Sequence, residues 1–171
     1  MAEDPTGLVR PEAPNIDPAE FRQVLGHFAT GLTVVTAMEE GSPVGFTCQS
    51  FFSLSLDPPL VALAPGKSST SWPRIAQAGA FAVNVLSTAQ ADLCQAFAVS
   101  GGDKFATVAW RKGPVAGTPL LDGALAWVEC ALESIHDAGD HELVTGRVLA
   151  LELGEGEPLV FYRSVFRTLA P

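Results

Sequence analysis

Small hydroxyl residues crowd two stretches of this chain. Thr47-Cys48-Gln49-Ser50 is followed by Ser53 and Ser55, and Lys67-Ser68-Ser69-Thr70-Ser71 comes a few residues later. Hydroxyls and backbone N–H groups at the start of a helix bind anions, and Lys67 adds a positive charge. The same residue types also serve as ordinary helix caps. His141 follows Gly139-Asp140 in a connection between two long strand candidates. A ring there either stands in solvent or is presented at a pocket mouth, where loops carry function. Tyr162, the single tyrosine, stands next to Arg163.

Other chemistries lack their residues. Gly154 and Gly156 are followed by Leu159 where a dinucleotide-binding fingerprint needs its third glycine, and neither a P-loop nor a Gly-x-Ser-x-Gly elbow occurs. His141-Glu142 opens like a zinc-protease helix, but position 145 is Thr, and the three histidines form no local cluster, so no metal site is expected. Cys48, Cys94 and Cys130 are odd in number and widely spaced, with no Cys-x-x-Cys pair. They read as reduced core residues of a cytoplasmic protein.

Composition narrows the class further. The chain has 171 residues, of which 47% are apolar and 17% charged, which suits one packed domain and excludes disorder of the whole. Ten Lys+Arg against 19 Asp+Glu give a net charge of −9. Nucleic acid and anionic membrane surfaces are therefore excluded as partners. A mean hydropathy of +0.26 is high for a small monomer and points to an oligomer with an apolar interface. The uncharged stretch from Ile75 to Ala91 contains Gln77, Asn84, Ser87, Thr88 and Gln90, too polar to span a bilayer. The opening Met-Ala-Glu-Asp-Pro lacks the pattern of a secretory signal.

These residues need elements to hold them. Residues 1–16 contain three prolines and no periodicity, and read as a flexible tail before a single domain over 17–171. Asp17-Pro18-Ala19-Glu20 is a helix start in which Asp17 caps and Glu20 can complete a capping box. Phe21, Val24, Leu25 and Phe28 form one apolar stripe, and the helix is expected to stop near Thr30-Gly31. Leu32–Ala37 and Val44–Thr47 flank a Glu39–Pro43 turn as a hairpin. Strands are expected around Phe51–Leu56, Leu60–Leu63 and Phe81–Leu86, with short helices over Ser68–Ala78 and Thr88–Phe97. Leu125–Ile135 and Glu142–Leu153 are long strand candidates, and Leu159–Tyr162 and Val165–Leu169 close the chain. The pattern is mainly β with short helices, and suggests a small antiparallel barrel.

Six segments together resemble the short-chain flavin reductase family, the reductase components of two-component flavin monooxygenases. They are the run from Phe21 to Thr36, with Gly26-x-Phe28-Ala29-Thr30-Gly31-x-Thr33-Val34-Val35-Thr36; Ser50-Phe51-x-Ser53-x-Ser55-Leu56-x-Pro58-Pro59-Leu60; Phe81-x-Val83-Asn84-Val85-Leu86; Asp103-Lys104-Phe105; Gly139-Asp140-His141; and Phe161-Tyr162-Arg163.

The resemblance implies a Greek-key split β-barrel of the FMN-binding type, a homodimer, and flavin in a groove near the subunit interface. It implies hydride transfer from NADH, or NADPH, to FAD or FMN, with the reduced flavin passed to a separate monooxygenase. In that family Thr30, Gly31 and Thr33, and the segment with Thr47, Cys48, Gln49, Ser50, Ser53 and Ser55, lie along the flavin. Lys67, Ser68, Ser69 and Thr70 lie by its phosphates, with Lys104 and Phe105 near them. Gly139, Asp140 and His141 are associated with the nicotinamide, His141 as the catalytic candidate, and Tyr162-Arg163 completes the set. Cys48-Gln49 departs from the Ala-Asn of many relatives. Resemblance to reductases of actinobacterial-type aromatic hydroxylases favours FAD. Two other readings stay open: a pyridoxamine-phosphate-oxidase-like enzyme with its own substrate, and a non-catalytic flavin-binding barrel.

Overall fold

The computed structural model describes residues 14–169. The expected tail, residues 1–16, therefore lies mostly outside the described residues. Asp17 caps helix α1 (Pro18–Leu25), accepting from the Ala19 N–H at 2.8 Å, with Pro18 at the first turn. The helix stops at Leu25, five residues before the expected end, because Thr30-Gly31 (β1) pairs instead with Val160–Tyr162 (β11). No residue of α1 is buried. Its apolar stripe faces outward, where the sequence pattern suggested a core contact.

Strands β2 (Thr33–Glu39) and β3 (Ser42–Cys48) form the expected hairpin. Its two turn residues, Glu40 and Gly41, both have positive φ, 48° and 84°. That is the mark of a tight turn whose twist suits a hairpin. A second hairpin joins β4 (Phe51–Leu56) to β5 (Pro59–Leu63) through a cis Asp57–Pro58 bond. Helix α2 (Trp72–Ala78) leads into β6 (Ala80–Val85), and a 3-10 turn at Thr88–Gln90 leads into α3 (Ala91–Ala98). The short pair β7 (Trp110–Lys112) and β8 (Pro119–Leu121) follows, unforeseen from the sequence. The long strands β9 (Ala126–Ala138) and β10 (His141–Leu153) meet in a two-residue turn at Gly139-Asp140, with Gly139 at φ 75°. Strand β12 (Val165–Arg167) pairs with β11.

Seven antiparallel strands form the main sheet in the order β3-β2-β6-β9-β10-β5-β4. Its edges, β3 and β4, are consecutive in the chain and joined through Gln49-Ser50, so the sheet curls back on itself without closing its hydrogen bonds. Side chains alternate across β2. Val35 and Ala37 enter one core with Trp72, Ile75, Phe81 and Val144, while Val34 enters a second with Phe97, Leu121 and Leu159. Burial on both faces explains why the adjacent Val34 and Val35 of β2 are both apolar.

Two buried polar groups fix the seams. Asn84 donates to the Val34 carbonyl and accepts from the Leu121 N–H, stitching β8 to the sheet. Glu129, 1% exposed, accepts from the Val115, Ala116 and Thr118 N–H groups and from the Thr118 hydroxyl. Burial pushes the Glu129 carboxyl up, but those four hydrogen bonds outweigh it and hold the group below its ordinary value.

Candidate flavin groove

A groove of about 910 Å³ opens where the two sheet edges meet. Its volume lies within the range of about 300–1,000 Å³ usual for small-molecule sites. One wall is the Thr47–Phe52 corner, a second is the Ala64–Ser71 segment, and a third is the end of α3 with Lys104. Thr30 and Gly31 of β1, with Leu25, Phe28 and Ala29 before them, form the remaining side. His141 closes one end.

The expected residues divide between the groove and its supports. Thr30, Gly31, Thr47, Cys48, Gln49, Ser50, Ser68, Ser69, Thr70, Lys104 and His141 line it. Thr33 is buried behind it and donates to the Cys48 carbonyl at 2.7 Å. Ser53 and Ser55 lie further along β4, outside the lining. Phe105 turns into the second core, edge-on to Phe97 and Trp110. Lys67 points away from the lining and pairs with Asp137 at 2.6 Å. Gly139 and Asp140 form the turn beneath His141. Tyr162 packs edge-on to His27, and the Arg163 N–H donates to the Gly26 carbonyl, so both hold α1 rather than line the groove.

The sequence reading missed the apolar half of the site: Phe46, Phe51, Phe97, Ala98 and Val99, together with Ser100. Most of these sit in elements that read as ordinary core. The signal available for the last three was Gly101-Gly102, which ends a helical pattern and marks a loop.

Several lining hydroxyls are already committed. Thr47 donates to the Cys94 carbonyl at 2.6 Å. Ser50 donates to the Ala64 carbonyl and accepts from the Ala64 N–H, tying β4's start to the end of β5. Ser69 accepts from the Trp72 N–H at 3.1 Å and so caps the start of α2. Thr30 differs. Its Oγ1 is the one buried side-chain N or O atom among the described residues without a hydrogen-bond partner. Burying such a hydroxyl unpaired costs about 1–3 kcal/mol, so a partner from a ligand would relieve it.

Charge separates this groove from the rest of the molecule. Among the described residues no Asp or Glu lines it, although acidic residues outnumber basic ones 19 to 10 in the chain. The Lys104 ammonium lies in its wall and donates to the Phe97 carbonyl at 3.0 Å and the Gly45 carbonyl at 3.4 Å. Burial pulls its pKa below the ordinary lysine value. Burial pushes the Cys48 thiol up, so it is an inert lining group.

His141 pairs with its neighbour in the turn. Its Nδ1 lies 2.7 Å from the Asp140 carboxylate, which keeps that carboxyl below its ordinary value. A carboxylate only accepts, so Nδ1 carries the proton and Nε2 of the neutral ring is an acceptor. Nε2 lies beside Gly66, 3.6 Å from where a Cβ would stand, on the groove side.

The flavin reductase like domain matches residues 25–170. The chain is 49% identical over 166 residues to the reductase subunit HsaB of a flavin-dependent monooxygenase from Rhodococcus jostii, covering 96% of this chain and 84% of that protein. It is 43% identical over 146 residues to the FMN reductase (NADH) SmoA of Agrobacterium fabrum, covering 85% and 83%. The NADH:FAD oxidoreductase SgcE6 of Streptomyces globisporus, solved in complex with NAD and FAD fragments, superposes with a TM-score of 0.85 at 38% identity, covering 93% and 98%. The chain belongs to the flavin reductase family.

Proposed function

We propose that the protein is an NADH-dependent flavin reductase that supplies reduced flavin to a separate monooxygenase. The carrying observation is a groove whose described lining holds no carboxylate, with Lys104 in its wall and an unpartnered buried hydroxyl at Thr30, in a strongly acidic chain. Such a groove suits a large, partly apolar ligand that bears phosphate. FAD is the flavin favoured by the resemblance given in the sequence analysis, and FMN is the alternative, since an FMN reductase and an NADH:FAD oxidoreductase are both similar to this chain.

Bound flavin supplies the acceptor for a hydride from the reduced nicotinamide. The chain's residues bind and orient. Thr30 Oγ1 and the Gln49 amide offer hydrogen bonds to the polar edges of the ring system. The Ser68–Thr70 hydroxyls and Lys104 face the negative charge. Phe46, Phe51 and Phe97 supply apolar contact. The Nε2 of His141 accepts from the nicotinamide's amide group and sets the approach of the two rings, which is where distance control raises a rate.

The groove is proposed to be completed by a second copy of the chain, forming the split barrel's homodimer. Phe28 is 75% exposed and Leu25 54%, yet both line the groove, and Phe21 and Val24 extend the same uncovered stripe. Covering this face would hide the apolar surface and wall the site at once. Light scattering should give twice the chain mass at micromolar concentration, and a monomer would remove this arrangement.

A cytoplasmic setting accords with three buried free thiols, Cys48, Cys94 and Cys130. No described helix is long and apolar enough to cross a membrane.

Steady-state oxidation of NADH and NADPH with FAD, FMN and riboflavin tests the function. The expected result is turnover with NADH and FAD that continues while oxygen reoxidises released flavin. Flavin that copurifies stoichiometrically and never leaves would favour an enzyme of the pyridoxamine-phosphate-oxidase type. Flavin binding without nicotinamide oxidation would leave a binding protein.

A further inference from the structure

The segment over Pro65–Trp72 and the tip of the β9–β10 hairpin are joined by four contacts around His141. The Lys67 N–H donates to the Asp140 carbonyl at 2.9 Å, and the Glu142 N–H donates to the Pro65 carbonyl at 3.0 Å. The Lys67 ammonium reaches Asp137 at 2.6 Å, and the Trp72 indole N–H donates to the Glu142 carboxylate at 2.5 Å. Trp72 is itself 3% exposed and anchored in the core. The two backbone bonds run on either side of Gly66, which bridges to His141. The serine wall and the histidine are therefore one clamped unit.

We propose that Lys67 and Asp137 are positioning residues that hold His141 in register with the groove. This rests on the nicotinamide role given to His141 above. Lys67 would then act through the hairpin and not on the flavin phosphates. The ordering of the pair supports this. Asp137 lies two residues before the turn and Asp140 within it, so the Lys67 side chain and its own N–H grip the turn on both flanks. The Lys67 hydrogen bond also keeps the Asp137 carboxyl below its ordinary value. Both side chains are solvent-facing, 40% and 80% exposed, so the effect is modest. Exposed pairs shift an equilibrium by about two- to fivefold, and salt weakens them.

The test compares Lys67→Met, Asp137→Asn, the double variant and the charge-reversed Lys67→Asp/Asp137→Lys. NADH KM, kcat, FAD Kd and amide hydrogen exchange at Glu142 are measured in each. The expected result is a rise in NADH KM of about two- to fivefold in either single variant. The double variant should be no worse, FAD Kd should be unchanged, kcat should fall by no more than the same factor, and exchange at Glu142 should be faster. The reversed pair should recover both KM and exchange. Weakened FAD binding in Lys67→Met with normal Asp137→Asn would overturn the proposal and make Lys67 a flavin contact. Unchanged exchange in both single variants would overturn it as well. Faster exchange with unchanged KM would also overturn the positioning role. If His141→Ala too leaves NADH KM unaltered, the fault lies in the reading of His141; if that variant raises KM while the two others do not, it lies in the clamp.

Discussion

Replacing Thr30 by Val should move stability and flavin affinity in opposite directions. The two side chains have nearly the same shape, both are β-branched, and Thr30 lies in a short strand where either suits the backbone. The exchange therefore isolates the hydroxyl. Without ligand, Oγ1 is buried and unpartnered, a burden of about 1–3 kcal/mol that a methyl group does not carry. Taking the low end of that range, flavin-free protein should gain roughly 1 kcal/mol, which at this size raises Tm by about 2–4 °C. With flavin, the hydrogen bond proposed above from Oγ1 to the ligand is lost, and Kd should rise about two- to tenfold, as for about 0.5–1.5 kcal/mol. Thr47→Val is the control, because its hydroxyl donates to the Cys94 carbonyl at 2.6 Å. That variant should lose about 1 kcal/mol, since a partly buried hydrogen bond is removed. Thermal denaturation of both variants, stripped of flavin, and flavin titration by fluorescence suffice. A Tm that falls in Thr30→Val as it does in Thr47→Val would refute the reasoning, because it would mean that the Thr30 hydroxyl is already satisfied.

Three further outcomes follow from other groups. Glu129→Gln should cost about 3 kcal/mol at neutral pH, because a charged acceptor of four bonds is lost in a buried site. The folded-state pKa of Glu129 is depressed, so its contribution is full above the unfolded value and disappears as pH falls through the folded one. The gap between wild type and variant in chemical denaturation should therefore narrow below the ordinary glutamate range. Lys104→Met should weaken FAD by about 5- to 30-fold and riboflavin much less, read by titration; equal losses would place the ammonium away from the phosphates. In stopped-flow reduction, His141→Ala should raise NADH KM and slow the step by up to about 10²-fold, with flavin Kd nearly unchanged.

Elements governed by local chemistry were legible in the sequence. The Asp17-Pro18 start of α1, the Glu40-Gly41 hairpin and the long β9–β10 pair follow from capping, turn residues and alternation. What failed depended on distant partners. The α1 stripe reads as a core face, but no other part of the described chain covers it, so the rule that apolar stripes are buried misled for a single copy. The early end of α1 reflects pairing of Thr30 with Phe161, far along the chain. Lys67 reads as an anion contact beside three hydroxyls, and only the fold brings Asp137 within 2.6 Å of it. Strands β7 and β8 were missed because three-residue strands carry no period. Their place is set by Asn84 and by the Thr36 hydroxyl, which donates to the Pro119 carbonyl. Eleven of the expected groove residues do line the groove, because sequence-adjacent hydroxyl runs stay together at sheet edges.

The absence of carboxylates from the described lining of the groove, set against a net charge of −9, has a kinetic side. A phosphate-bearing flavin approaches through a repulsive far field and meets attraction only inside the last Debye length, about 8 Å at physiological ionic strength. Capture is thus slower than for a neutral molecule of equal size, and salt lowers that outer barrier while loosening the inner grip. Once a flavin detaches, the same field drives it outward and disfavours immediate recapture. For a protein whose product must reach another enzyme, the surface charge slows first capture and recapture alike, so a flavin that has left travels further before it binds again.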